Sequence, residues 1–164
     1  MTGKDELAEL AAEVGARLVA RGETVAVAES SAGGLIASAL LAVPGASRFF
    51  LGGAVVYTAT AREALLGISP PDMDGLRSSS EPYARLLAER VRARLRASWG
   101  LAETGAAGPA GNRYGDPAGH TCLAVAGLKG SVTTIRTGNS DRAENMRFFA
   151  AAALRELAAA LQAT

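Results

Sequence analysis

A chain of 164 residues with one cysteine, one histidine and a formal net charge of +1 is the size of one domain. It is composed neither like a disulfide scaffold nor like a basic nucleic-acid binder. Apolar residues make up 49% but aromatic ones only 5%, so the core must come from close packing of Ala, Leu and Val. No apolar run is long enough to cross a bilayer, and Met1-Thr-Gly-Lys-Asp-Glu6 has no apolar leader region. A soluble cytoplasmic protein without a membrane or nucleic-acid partner is expected.

Leu7, Leu10, Ala11, Val14 and Leu18 recur at helical spacing, predicting a helix over residues 4–21 capped by Thr2 or Asp5 and ended by Gly22. Residues 25–28 are a brief apolar run without helical period, whereas Leu35, Ile36, Ala39, Leu40 and Val43 share one helix face. A strand therefore feeds a helix through a sharp turn at Glu29, Ser30 and Ser31, opened by Gly33 and Gly34. Such a turn lies at the carboxyl end of an open α/β sheet, where ligands bind. Its first N–H groups attract anions, and its two hydroxyls suit acyl transfer. A plain N-cap, with glycines that let helix and sheet pack closely, fits the same residues.

Pro44-Gly45 stops that helix, and residues 52–58 read as a second strand ending near Tyr57. Thr60-Ala-Arg-Glu63 has the spacing of a capping box, for a short helix to Leu66 closed by Gly67. Tyr57 and Arg62 thus flank a second strand-to-helix turn, on the same sheet edge as the first if the strands are parallel. Residues 68–75 are punctuated by prolines and read as surface loop. Ser80-Glu81-Pro82 starts a helix to about residue 97, with Tyr83, Leu87, Val91 and Leu95 as core stripe and its arginines on a solvated face.

Residues 101–104 read as a third strand. Residues 105–119 form a long irregular segment dense in Gly and Pro, of a kind that is usually functional when ordered. Residues 120–126 and 131–136 pair as a hairpin about Gly127-Leu-Lys-Gly130, and Asp141-Arg-Ala-Glu144 caps a last helix whose core stripe is Met146, Phe149, Ala153, Leu157 and Leu161. One α/β domain over residues 1–164 follows, three layers in the order α/β/α with a mixed sheet of about five strands.

From the residues alone, the candidates for chemistry are Ser30 as nucleophile, Tyr57 and Arg62 as donors or anion ligands, and the loop from Thr104 to residue 119 as a backbone cradle. Asp141 and Arg142 add a capped helix start with a cation beside it. No metal-ligand spacing appears, so neither metal nor cofactor is expected. His120 heads a strand and reads as a hydrogen-bonded structural histidine, with a functional role kept open by its titration near neutral pH. Cys122 reads as a small core residue.

At this point a resemblance becomes specific. Ala28-Glu-Ser-Ser-Ala-Gly-Gly-Leu-Ile-Ala37, Val43-Pro-Gly-Ala-Ser-Arg-Phe-Phe-Leu-Gly-Gly53, Tyr57 with Ala61-Arg62, Ser80-Glu81 and Thr104-Gly-Ala-Ala-Gly-Pro109 together resemble the carboxy-terminal domain of the CinA family, in order and over nearly the whole chain. That family includes nicotinamide mononucleotide deamidases. The resemblance implies hydrolysis of the carboxamide of nicotinamide mononucleotide to nicotinic acid mononucleotide and ammonia, by a serine nucleophile with a lysine and a tyrosine and without a metal. The matching serine is Ser30 and the matching tyrosine Tyr57. Ser31, Ala32, Gly33 and Gly34 would then face the substrate, the N–H groups of Ala32, Gly33 or Gly34 toward a developing oxyanion, with Thr104, Gly105, Ala107, Gly108 and Arg142 holding the nucleotide.

The chain departs from the family pattern at telling places. Arg62 stands where the family has lysine, and a guanidinium does not give up its proton to act as a base. Glu103 stands where an apolar or small residue is expected, and an ion pair with Arg62 would suit both changes. Glu103, Glu29 and His120 are the candidate substitute bases. Three readings stay open: a pyridine-nucleotide amidohydrolase with a replaced base, a nucleotide- or phosphate-binding protein that has lost catalysis, and a structural or regulatory subunit acting through its Ala-rich helices. A homodimer is the default assembly.

Overall fold

The computed structural model describes the backbone of residues 3–164 and the side chains from Glu6 onward; the proposed cap Thr2 lies outside the described residues, and Asp5 falls inside α1 (Gly3–Arg21) and so does not cap it. Five strands, β1 (Val25–Glu29), β2 (Phe50–Val55), β3 (Trp99–Ala106), β4 (His120–Ala126) and β5 (Ser131–Arg136), form one sheet in the order β2-β1-β3-β4-β5. β1 pairs parallel with β2 and β3, while β3, β4 and β5 are antiparallel, so the sheet is mixed as expected. The helices are α1 (Gly3–Arg21), α2 (Leu35–Leu41), α3 (Ala59–Leu66), α4 (Glu81–Leu95) and α5 (Arg142–Gln162). Among the described residues no helix is long and apolar enough to cross a membrane.

Strand alternation divides the core into two layers. Val25, Val27, Leu101, Leu123 and Val125 face α1, α2 and α5, joined by Leu18, Ile36, Phe149 and Leu157. Ala26, Ala28, Ala102, Cys122 and Ala124 face the other way, against Tyr83, Leu87 and Val91 of α4 and Leu66 of α3. Under α4 the buried apolar residues that β1, β3 and β4 turn to this face are small, which lets α4 sit close to the sheet. A Cβ built on Gly100 would lie 2.1 Å from the carbonyl oxygen of Ala88.

Several boundaries differ from the sequence reading. Thr58, not Thr60, caps α3, its hydroxyl accepting from Ala61 N–H at 3.0 Å, because β2 ends at Val55 and the chain turns at once. β3 begins at Trp99 and runs through Gly105 and Ala106, which leaves 107–119 as the irregular segment. Trp99 is fully buried and its indole N–H donates to Glu23 at 3.0 Å. Asp141 caps α5 by accepting from Glu144 N–H, but Glu144 does not close the box; its carboxylate accepts from Asn139. The loop after α3 is anchored by buried Ile68 and a short 3-10 turn at Pro71–Met73.

Candidate active site

The parity that divides the core also sorts the residues of the turn after β1. Glu29 follows Val25 and Val27 toward α2, whereas Ser30 falls on the α3 and α4 side. Glu29 is buried, and its carboxylate accepts N–H bonds from Gly34, Ile36 and Ala37 at 2.9–3.1 Å, so it caps α2 from the preceding strand. Burial pushes its pKa up to about 6, against the pull of those N–H bonds.

Glu103 of β3 lies on the same face as Leu101 and is fully buried beneath the turn. Its Oε1 accepts from Ser30 N–H at 3.1 Å and Ala32 N–H at 2.7 Å, and its Oε2 from the hydroxyls of Ser31 and Thr121. Burial raises its pKa, opposed by these four donors. A proton on Oε2 would be accommodated by rotation of either hydroxyl.

This arrangement corrects two expectations. The N–H groups of residues 32–34 are not free for an oxyanion: Ala32 donates to Glu103, Gly33 to the carbonyl of Ser30, and Gly34 to Glu29. Nor do Arg62 and Glu103 pair. Glu103 points to the α2 side, while Arg62 lies on the α4 side, donating to Ser78 Oγ at 3.2 Å with its guanidinium 5.3 Å from the centroid of the Tyr83 ring.

On that α4 side a pocket of about 290 Å³ opens at the carboxyl ends of β1 and β3. Ser30, Tyr57, Arg62, Thr104 and Gly105 line it, so the turns after β1 and β2 and the end of β3 do share one edge. Ser30 Oγ makes no hydrogen bond to a described residue and faces this space, whereas Ser31 is buried on Glu103. The loop expected as a cradle reaches the pocket through Asn112, Arg113 and Tyr114, none of which was singled out by itself, and the sequence reading missed Thr58, Ser78, Ser79 and Tyr83. The chain's three tyrosines all reach this pocket, together with two arginines and no acidic side chain. A larger hollow of about 540 Å³ beside Leu7, Leu35 and Ala39 is mostly apolar, with Ser38 and Arg147 as its polar lining residues.

Further predicted residues brace the wall through hydrogen bonds. Arg142, first residue of α5, donates to Gly108 O and to Tyr57 Oη, the latter at 3.1 Å, and so ties the loop to the tyrosine. Ala107 is buried, its carbonyl accepting from Asn145. Thr104 Oγ1 accepts from Ser79 N–H at 3.1 Å and holds residues 78–80 against β3. Ser79 is itself left-handed, with φ 58°, a backbone state uncommon outside glycine.

His120 is buried and fully committed. Its Nδ1 accepts from Arg136 Nε at 3.1 Å, which leaves Nε2–H to donate to Ser79 O at 2.9 Å. This is a structural histidine and touches no group that it could deprotonate in the pocket. Beside it, buried Asp116 takes Arg77 at 2.8 Å, Asn112 at 2.9 Å and Arg136 at 3.6 Å. Burial alone would raise the Asp116 pKa; Arg77 and Asn112 outweigh it and hold the carboxyl below its usual range. Asp116 thereby pins the 107–119 loop to the segment before α4. Among the described residues no cluster of His, Cys, Asp and Glu could hold a metal ion.

Comparison with known proteins points one way. Residues 7–161 match the CinA C-terminal domain. A CinA-like protein of Anaeromyxobacter dehalogenans is 45% identical over 160 residues, which is 98% of this chain and 38% of that protein. A CinA-like protein of Gloeobacter violaceus is 47% identical over 118 residues, covering 72% of this chain and 28% of its own length. The chain thus spans about two fifths of the length of the first of these relatives. Among solved structures, the competence/damage inducible protein CihA of Agrobacterium tumefaciens superposes with a TM-score of 0.85 at 33% identity, over 96% of both chains. A CinA superfamily protein of Escherichia coli gives 0.86 at 28% identity, over 92% of this chain and 88% of its own.

Proposed function

Because the chain belongs to the CinA C-terminal domain family, we propose that its Ser30 pocket binds nicotinamide mononucleotide and hydrolyses the carboxamide through Ser30. One observation carries this reading: an unengaged serine hydroxyl at the carboxyl edge of the sheet opens into a pocket that gathers every tyrosine of the chain and two arginines without a carboxylate. Aromatic rings suit a planar base, and guanidinium groups suit a phosphate.

In the proposed reaction Ser30 Oγ attacks the carboxamide carbon, the C–N bond breaks, and ammonia leaves with the serine proton. Water then cleaves the ester to give the carboxylic acid and restore Ser30. Since the N–H groups of Ala32, Gly33 and Gly34 are already engaged within the turn, side chains take a share of oxyanion stabilisation. Tyr57, whose oxygen accepts from Arg142, keeps its own O–H to donate. No carboxylate or imidazole touches Ser30 Oγ, so the serine is unassisted and turnover is slow.

That last point favours a second reading, a binding protein that retains the nucleotide pocket without turnover. Ammonia release from nicotinamide mononucleotide, measured alongside calorimetric binding, separates the two. Release that disappears in Ser30→Ala while binding persists supports the hydrolase. Binding without release by the unaltered protein supports the second reading, and neither signal overturns both.

A further inference from the structure

His120 does not line the pocket, yet its ring holds a segment that does. The buried imidazole meets the turn before α4, where its Nε2–H donates to Ser79 O at 2.9 Å and Cys122 Sγ–H reaches the same oxygen at 3.5 Å. The peptide plane on the other side of Ser79 is also held. Thr104 Oγ1 accepts from Ser79 N–H at 3.1 Å, and Arg77 Nη1 donates to Ser78 O at 3.0 Å. A residue with a Cβ stays left-handed, as Ser79 does at φ 58°, only where its surroundings fix it from both sides. Thr104 and Arg77 fix the plane before Ser79, and His120 is the main grip on the plane after it. The bend matters because Ser78 accepts Arg62 Nη1 on its hydroxyl at 3.2 Å, and Arg62, Ser78 and Ser79 all line the pocket.

Arg136 aims the ring. Its Nε donates to His120 Nδ1 at 3.1 Å, which makes Nδ1 the acceptor and leaves the ring proton on Nε2, opposite the Ser79 carbonyl. Asp116 Oδ2 lies farther from Nε2, at 3.6 Å, and already takes Arg77 and Asn112. We infer that His120 is a positioning residue of the pocket: its Nε2–H, aimed by Arg136, fixes the left-handed bend at Ser79 that presents Ser78 to Arg62. That the ligand so served is nicotinamide mononucleotide rests on the function proposed above. The coupling from His120 to Arg62 rests on the hydrogen bonds alone.

His120→Gln returns an amide donor toward the Nε2 position, whereas His120→Leu fills the space without one. The chain has one histidine, so selective 15N-histidine labelling reports this ring by itself. Its spectrum should show the proton on Nε2; a proton on Nδ1 instead would overturn the proposal. The Arg62 Nε–H signal, identified by its loss in Arg62→Lys, should shift in His120→Leu and keep its place in His120→Gln. Both signals are read without ligand. Calorimetry with nicotinamide mononucleotide should then show binding weakened about tenfold or more in His120→Leu, and within about threefold of the unaltered protein in His120→Gln. In an Arg62→Met background, His120→Leu should weaken binding by less than about threefold further, because the group it positions is gone. Equal losses with and without Arg62, or an Arg62 signal indifferent to His120→Leu, would mean that His120 only supports the fold, and would sink the proposal. If His120→Leu does not fold, Arg136→Met carries the same measurements from a side chain that is 57% exposed, and an unmoved Arg62 signal there counts equally against it. A shifted Arg62 signal without mononucleotide binding by the unaltered protein would keep the positioning role and sink the nucleotide reading.

Discussion

Replacing Glu103 tests the central claim that this carboxylate organises the serine turn. Glu103→Val suits a strand but withdraws the acceptor of Ser30 N–H and Ala32 N–H, two backbone donors in a buried site. An orphaned buried donor costs about 1–3 kcal/mol, and the Ser31 and Thr121 hydroxyls can rotate to new partners, so the gross loss is roughly 2–6 kcal/mol. Removing a buried carboxylate returns part of that, leaving a net destabilisation of about 2–4 kcal/mol. Glu103→Gln is the control: its oxygen still accepts from both N–H groups, and its NH2 can donate to hydroxyls that turn to receive it. It should lie within about 1 kcal/mol of the unaltered protein. Urea unfolding at pH 7 measures both, and for a chain of this size the Val variant should also lose roughly 4–12 °C of Tm. A Val variant as stable as the parent, or a Gln variant as weak as Val, would refute the account of the turn.

Other outcomes can be checked on the same protein. Glu29, raised from 4.5 to about 6 by burial, binds its proton more tightly folded than unfolded. Its contribution to stability is therefore full below pH 4.5 and declines by about 2 kcal/mol as pH rises to about 6; Glu29→Gln should remove this component from urea titrations run across that window. Gly100→Ala drives a methyl into the Ala88 carbonyl and should cost about 1–3 kcal/mol or more, seen as a lowered urea midpoint; a neutral result would mean that α4 can shift away from the sheet. Arg62→Lys should raise ammonia release about tenfold or more by supplying a group able to lose its proton. A loss of release instead would show a site rebuilt around arginine.

Elements with strong periodicity were legible in the sequence. The stripes of α1 and α5, the hairpin and both strand-to-helix turns follow from spacing, and the mixed five-stranded sheet follows from their order. Alternation along β1 could also have separated Ser30 from Ser31, since Val25 and Val27 already mark the opposite face. The same alternation along β3 opposes an Arg62–Glu103 pair, because it groups Glu103 with Leu101 on the α2 side. Tyr83 was hidden by its place on a helical core stripe; only the fold shows that the first turn of α4 ends at a pocket. Arg113 and Tyr114 lie in a loop without period, placed there by the long-range contacts of Asp116, which local patterns do not encode.

Asp116 has one more consequence. A glycine-rich loop of this length would ordinarily sample many arrangements, and ligand arrival would have to select among them. Here one buried carboxylate joins the loop to Arg77 before α4 and Arg136 at the end of β5, with the Asn112 side chain accepting from Tyr114 N–H and Asp116 N–H inside the loop. The arrangement of Arg113 and Tyr114 is thus largely settled during folding. The segment behaves as a fixed wall and not as a lid, so ligand entry and exit depend on the open side of the pocket and on how quickly side chains let go.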